Sequence, residues 1–385
     1  MAHIHWLGAG LSSVPGIRRL INNERPVTLW NRTLRKAEAA TVGLLGDFYV
    51  RTFSIDALKA ELKAGDVVVS MLPATMHLEI AQLCLEAKAH FVSSSYVSPE
   101  MAGLNEEAKA SGLCFVNEVG LDPGLDHLLA HLLMADYKKS DAFDPNNSHE
   151  FRSYCGGFPA VANAFRYKFS WSPLGVLKAL KSPAKAILDG KVVETQKPWD
   201  AISDYSVTLP GGAETFQSYP NRDSLPFMSH YGFGSDWNMH TFVRGTLRLD
   251  GWSDAWADIF HFVEHEVSGE DGEAKLAKMS EQLWTDHAYD EEEPDRVVLV
   301  VDLKVNHDGQ TVWHKNYALD ARGSEDFSAM ARLVSIPVSL AVESILDDKL
   351  LPGVQAAPSD PEIILPWFKE LTKIGDQFHL TIHAE

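Results

Sequence analysis

The sequence predicts an α/β chain that opens with a doubly wound parallel sheet and continues into an α+β domain with a mostly antiparallel sheet. Three observations carry this. Strand-like and helix-like runs alternate over the first 117 residues, a glycine-rich turn follows the first strand, and the pattern changes beyond Asp136. At 385 residues the chain exceeds what one compact core usually holds. The expected division is 1–122 for the doubly wound domain and 123–350 for the α+β domain. A last segment, 351–385, is expected to pack back on the first domain.

The strand-like runs are His3–Leu7, Val27–Asn31, Asp66–Leu72, His90–Ser94 and Leu113–Asn117, with helix-like stretches such as Leu78–Lys88 and Glu100–Ala110 between them. Continuous Val, Ile and Leu runs separated by helices imply a parallel sheet covered on both faces, joined by right-handed crossovers. That is a Rossmann-type arrangement. Later runs, Phe165–Trp171, His240–Leu249, Val297–Val305 and Thr311–Leu319, are rich in β-branched and aromatic residues and read as strands. Trp252–Tyr289 and Asp326–Asp347 read as helical, and Leu351–Pro361 as a Pro-rich turn.

The first strand leads into Gly8-Ala9-Gly10-Leu11-Ser12-Ser13-Val14-Pro15-Gly16. One glycine permits the sharp turn and a second lets backbone approach a pyrophosphate. The helix that follows offers free N–H groups and the positive end of its dipole. The third glycine of the usual fingerprint is missing at its normal place. Gly8, Gly10, Leu11, Ser12 and Ser13 are therefore the expected phosphate loop. At the end of the second strand, where NAD-preferring folds carry a carboxylate, the chain has Asn31-Arg32-Thr33. Arg32, with Thr33 beside it, suits a 2′-phosphate, so NADP is the expected cofactor and NAD the alternative. Pro73, Thr75, Ser94 and Ser95 lie at later strand tips, where ribose and nicotinamide are expected.

The net charge of −19 excludes a basic footprint for nucleic acid. No apolar run approaches the length needed to cross a bilayer, and no secretory signal is seen, so a cytoplasmic protein is expected. The acidic run Asp290–Asp295 reads as a solvated loop. Three cysteines, Cys84, Cys114 and Cys155, give neither a disulfide framework nor a metal site. The first two read as core. His127 and His131, and His261 and His265, are spaced to share a helix face, but no metal site is expected of either pair.

Six segments bear a closer resemblance. Ser94-Ser95-Tyr96-Val97-Ser98-Pro99 and Gly120-Leu121-Asp122-Pro123-Gly124-Leu125-Asp126-His127 are similar to signature segments of the glutamate-forming saccharopine dehydrogenases, also called saccharopine reductases. So are Ser153-Tyr154-Cys155-Gly156-Gly157, Tyr167-Lys168-Phe169-Ser170-Trp171-Ser172, Tyr219-Pro220-Asn221-Arg222-Asp223-Ser224 and Arg244-Gly245-Thr246-Leu247-Arg248.

The resemblance implies oxidation of saccharopine at the lysine-side carbon of its secondary amine. Hydrolysis of the imine then gives glutamate and α-aminoadipate semialdehyde; the reverse reaction is implied equally. It places Ser95, Tyr96, Asp122, Arg222, Thr246, Leu247 and Arg248 on the substrate, and Ser94, Ser95, Leu121, Asp122 and Ser172 near the cofactor. Asp122, Tyr96 and Cys155 are the implied catalytic group, with Cys155 as a close neighbour of the ligand and not a covalent nucleophile. A homodimer is expected. The fungal relatives carry a longer helical region between Leu249 and Val297. An enzyme for another carboxylated secondary amine, such as carboxynorspermidine, and a non-catalytic nucleotide-binding protein remain the alternatives.

Overall fold

The computed structural model describes residues 2–267, 271–290, 293–373 and 376–385. It divides into two compact units, residues 1–128 with 331–369, and residues 129–330 with 370–385.

The first unit begins β1 (Ile4–Leu7), β2 (Val27–Asn31), β3 (Phe48–Thr52), β4 (Val67–Ser70), β5 (His90–Ser93) and β6 (Cys114–Val116). The second unit contains β7 (Ser148–Pro159), β8 (Ala184–Leu188), β9 (Lys191–Thr195), β10 (Ser203–Leu209), β11 (Gly212–Pro220), β12 (Met239–Leu249), β13 (Asp295–His307) and β14 (Gln310–Arg322). The chain then returns to the first unit with β15 (Gly353–Gln355) and ends in the second with β16 (Phe378–Ala384).

The first sheet is parallel throughout, in the order β15-β6-β5-β4-β1-β2-β3. β1 and β4 are buried at every position, as strands covered on both faces must be. Leu7, Trp30, Val68, Phe91 and Phe115 join Ile80, Cys84 and Ala108 from the covering helices in one core. The expected helix Glu100–Ala110 divides at Gly103 and Leu104 into Pro99–Ala102 and Asn105–Ala110. β3 escaped the sequence reading because it is an edge strand with no buried residue, so its hydrophobic pattern is weak.

The helix Val14–Asn22 approaches its neighbours at Gly16. A Cβ there would lie 2.3 Å from the Ser335 carbonyl oxygen and 2.8 Å from the Trp6 ring, and the Gly16 N–H donates to Ser335 Oγ at 2.9 Å. The close-packing role of the absent third glycine is thus filled one turn later.

The second sheet runs β10-β11-β12-β7-β13-β14-β16, with β8 on β12 and β9 on β8. All its pairings are antiparallel except β12 with β7. One face carries Tyr154, Phe158, Phe216, Val243, Leu247 and Val298. The helices Pro173–Leu180, Ala257–His265 and Gly272–His287 form a second core with Tyr167, Tyr219, Trp252 and Trp256.

The following expectations are corrected. Residues 331–350 belong to the first unit, because the helix Ala329–Leu346 lies against Gly16 and its Glu343 pairs with Arg19 at 2.7 Å. The tail does not return wholly to the first unit: β15 extends the parallel sheet, but β16 pairs with β14. Phe165–Trp171 is not a strand; its only pairing among the described residues is the Phe169–Ala288 bridge, and its Phe165 ring stacks on His287, at the end of a helix, and on Trp256, between two helices. Ala329–Leu346 is long and apolar enough to span a bilayer, with mean hydropathy 1.6, but 78% of it is buried inside the protein.

The acidic run is also only partly solvated. Glu291 and Glu292 lie outside the described residues, but Asp295 is 2% exposed and accepts from the Ala329 and Met330 N–H groups at 2.6 and 2.9 Å. It caps the orphan donors that open Ala329–Leu346. Cys84 and Cys114 are buried, and burial pushes the Cys114 thiol up to about 11.

Gly16→Ala must displace the Ser335 backbone or the Trp6 ring, and overpacking of this kind costs ~1–3 kcal/mol. Urea unfolding should show that loss, whereas Gly10→Ala, where a Cβ meets nothing within 4 Å, should leave stability within ~1 kcal/mol of wild type.

Candidate active site

In a parallel sheet every carboxyl end opens on the same edge. The expected nucleotide-binding residues of the first unit fall on that edge. Gly8 leaves β1 with φ +102, and a Cβ on it would sit 2.9 Å from the Met71 carbonyl oxygen, so glycine is required. Its N–H donates to Trp30 O at 2.8 Å, and Ala9 N–H donates to Asn31 Oδ1 at 3.1 Å. The tips of β1 and β2 are therefore locked together. Gly10 and Leu11 are exposed, Ser12 is half-buried, and Ser13 is buried as the residue before the helix Val14–Asn22.

Arg32 and Thr33 are exposed beyond β2, and Arg32 makes no hydrogen bond or ion pair among the described residues. Asn31 Nδ2 donates to Thr33 O at 2.8 Å and fixes this turn. An open glycine loop, a helix N-terminus and an uncommitted guanidinium with no carboxylate beside it fit a dinucleotide. Pro73 and Thr75 are exposed after β4.

Behind these tips lies a set of polar contacts that the sequence reading did not anticipate. Ser70 Oγ lies 2.9 Å from His77 Nδ1, and His77 Nε2 lies 2.8 Å from Ser95 Oγ. His77 is 6% exposed, and burial lowers its pKa to about 4. Ser93 Oγ donates to Asn117 Oδ1 at 3.0 Å, and Ser94 Oγ lies 3.8 Å from Met71 Sδ.

The implied catalytic pair is joined: Tyr96 OH donates to Asp122 Oδ1 at 3.2 Å. Their loops are tied from below. Val97 N–H donates to Glu118 Oε1 at 2.8 Å, Glu118 Oε2 faces His127 Nε2 at 2.8 Å, and Asp126 Oδ1 accepts from Gly124 N–H at 2.7 Å. Leu121 is buried beside Asp122.

The second unit gathers a separate group. Cys155 on β7 stands opposite Thr246 on β12, and Tyr219 on β11 stands opposite Thr246 from the other side. Alternation puts Thr246 and Arg248 on one face of β12 and sends Leu247 into the opposite core. Arg248 is 8% exposed. Its guanidinium carbon lies 5.0, 5.2 and 5.7 Å from the ring centroids of Tyr167, Trp252 and Tyr219. One nitrogen donates to Leu247 O at 3.3 Å, and no carboxylate pairs with Arg248 among the described residues. Leu247 is thus placed to contribute backbone, its side chain being core.

Arg222 lies on an exposed turn with φ 60, its carbonyl accepting from Lys185 N–H at 2.9 Å. Ser172 caps the helix Pro173–Leu180, its Oγ accepting from Gly175 N–H at 3.3 Å. A buried arginine not assigned from the sequence, Arg244, holds its guanidinium 4.0 Å from the Phe227 ring centroid. The period-two run Arg244, Thr246, Arg248 was the signal for it. Of the spaced histidine pairs, His127 faces Glu118 and His131 packs on His230 and Tyr231.

A family model described as the saccharopine dehydrogenase NADP binding domain matches residues 4–116, and one described as the saccharopine dehydrogenase C-terminal domain matches residues 120–376. The saccharopine dehydrogenase [NADP(+), L-glutamate-forming] of Pyricularia oryzae is 30% identical, with 95% of each chain covered. That alignment runs over 444 positions, more than the 385 residues here, so the fungal chain carries residues this one lacks. The mitochondrial alpha-aminoadipic semialdehyde synthase of Rattus norvegicus is 28% identical over 84% of this chain and 41% of its own length. The solved structure of apo saccharopine dehydrogenase (L-Glu forming) from Saccharomyces cerevisiae superposes with a TM-score of 0.81 at 27% identity, covering all of both chains.

The buried His77 gives a pH signature. Its folded pKa lies below its ordinary value, so its neutral form stabilises the fold fully above pH 6.5, and that contribution is lost as pH falls through about 4. The loss amounts to about 3 kcal/mol at most. Unfolding free energies between pH 7 and 4.5 should fall less steeply in His77→Gln than in wild type; parallel slopes would show that His77 does not titrate this way.

Proposed function

The chain belongs to the saccharopine dehydrogenase family, and from that premise we propose that it converts saccharopine, NADP+ and water into L-glutamate, α-aminoadipate semialdehyde, NADPH and a proton, or runs this reaction in reverse. The observation that carries the substrate assignment is Arg248. A guanidinium 8% exposed with no carboxylate partner among the described residues is an unfavourable arrangement unless an anion completes it. The aromatic rings around it offset part of that cost through cation–π attraction and leave its remaining donors for a carboxylate. Saccharopine carries three carboxylates, and Arg222 is the second candidate partner.

NADP, when bound, supplies the hydride acceptor. Gly8, Gly10, Leu11, Ser12 and Ser13 would hold its pyrophosphate, and Arg32 with Thr33 its 2′-phosphate. Ser94, Ser95, Pro73, Thr75, Leu121 and Ser172 complete the proposed cofactor contacts. Asp122 and Tyr96 already share a hydrogen bond. In this reading the Asp122 carboxylate accepts a proton from the secondary amine or from the water that attacks the imine, and Tyr96 orients it. Thr246 and Cys155 line the face on which Arg248 stands, and Cys155 forms no covalent bond. A cytoplasmic homodimer is part of the same proposal.

The assay is saccharopine-dependent NADP reduction, with glutamate as product; lysine and 2-oxoglutarate as products would overturn the assignment. Arg248→Met should raise KM for saccharopine ~10–100-fold and leave cofactor affinity unchanged. Because it removes a buried charge, it should not lower the melting temperature of the ligand-free protein. Equal losses for both ligands would remove Arg248 from the substrate site.

Cofactor choice is tested at Arg32. The side chain is exposed, so salt screens it and its effect should be greatest at low ionic strength. Arg32→Ala should weaken NADP about tenfold and leave NAD nearly unchanged, and Arg32→Asp should reverse the preference. A wild-type preference for NAD would refute the NADP reading.

A further inference from the structure

Ser70, at the carboxyl end of β4, and Ser95, just past β5, are bridged by the His77 imidazole. Ser70 is 1% exposed, and His77 is its side chain's hydrogen-bond partner among the described residues. A buried hydroxyl that leaves its proton unused loses more than one that leaves a lone pair unused. Ser70 O–H therefore donates to His77 Nδ1. Burial holds His77 neutral at working pH, so with Nδ1 accepting, the single ring proton is on Nε2 and is donated to Ser95 Oγ. Ser95 receives one hydrogen bond at its oxygen and keeps its own proton. Its side chain is half-buried, and its backbone is fixed by Glu118 N–H donating to Ser95 O at 3.0 Å and by Ser95 N–H donating to Ser93 Oγ at 3.3 Å.

We infer that His77 is a positioning residue that fixes Ser95 as a hydrogen-bond donor toward a bound ligand, through the one-way chain Ser70 to His77 to Ser95. The ligand atom must be an acceptor. A carboxylate or amine of the substrate and a carboxamide oxygen of the cofactor share that chemistry. The inference rests on the proposed reaction for the identity of those ligands, but not for the direction of the chain.

Two measurements test it. Long-range ¹H–¹⁵N correlation on histidine-labelled protein at pH 7, with the His77 signals assigned by their loss in His77→Gln, should show Nε2 protonated and Nδ1 bare. The opposite tautomer, or an imidazolium, overturns the inference whether or not the protein turns over saccharopine. The second is a double-mutant cycle. Ser95→Ala and His77→Leu should each lower kcat/KM about tenfold, the double variant should lose no more than the larger single loss, and His77→Gln, which can accept from Ser70 and donate to Ser95, should recover most of it. Additive losses near a hundredfold, or no recovery with glutamine, would make His77 a packing residue only. NADPH affinity from its fluorescence, set against KM for saccharopine, assigns the acceptor: a loss in the first places it on the cofactor, a loss in the second on the substrate, and a loss in neither overturns the inference. If wild-type protein lacks saccharopine activity, the proposed reaction fails while the tautomer measurement still judges this chain. That measurement is made on wild type, so a His77→Leu protein that does not fold leaves the inference open to refutation.

Discussion

Parallel strands that are apolar along their whole length cannot present either face to water, and the first unit is organised by that constraint. Helices must cover both faces of β1 and β4, so the connections between strands are forced to the two edges. The parallel orientation of the strands then places the exit of every strand on one of those edges. The chain has nowhere else to put polar function in this unit. The glycine turn after β1, Arg32 after β2, Ser70 at the end of β4, Ser93 at the end of β5 with Ser94 to Tyr96 beyond it, and Glu118 to Asp122 after β6 are all consequences of one packing requirement.

An edge that must meet a ligand carries polar groups that are partly desolvated even before the ligand arrives, and each needs a partner. The structure meets this by cross-linking neighbouring tips: Ala9 to Asn31, Ser70 to Ser95 through His77, Ser93 to Asn117, and Val97 to Glu118. These contacts are between residues 7 to 24 positions apart in the chain, and they hold the loops in register with one another. Pre-organisation of this kind lowers the entropy lost when a ligand binds. It also explains why the edge is rich in serine: a hydroxyl can donate to one neighbour and accept from another in little space.

This division between packing and cross-linking sets what could be read from the sequence. Five of the strands in the first unit were legible because burial on both faces writes an unbroken apolar run, and the phosphate loop was legible because Gly8 answers a backbone demand. β3 was not, since an edge strand needs no such run, and neither was the extra strand at Gly353–Gln355, hidden in a Pro-rich stretch. The motifs singled out Tyr96, Asp122, Cys155 and Arg248, but not what each touches. His77 carried no signal: it stands at the start of an amphipathic helix, and its partners are set by where two other strands end. Gly16 was visible as a glycine, yet the need for it lies in Ser335, 319 positions away. Phe165–Trp171 misled because aromatic residues gathered around helices give the same composition as a strand.

The second unit solves the opposite problem. Its sheet buries a charge. Arg248 stands on β12 between positions whose side chains pack apolar cores, and alternation alone decides that it points away from Leu247 and Leu249. Rings of Tyr167, Tyr219 and Trp252 hold the guanidinium without neutralising it. A glutamate in that cage would be the more stable choice for the ligand-free protein, and it would also fill the place of the anion. In the proposed reading, leaving the charge incomplete keeps stability in reserve for the moment a carboxylate enters, so the same desolvation that disfavours the empty cage strengthens the pair once it forms. On this argument the affinity for an anionic substrate comes from this local, desolvated cation and not from the field of the whole protein, whose net charge of −19 repels such a ligand at a distance.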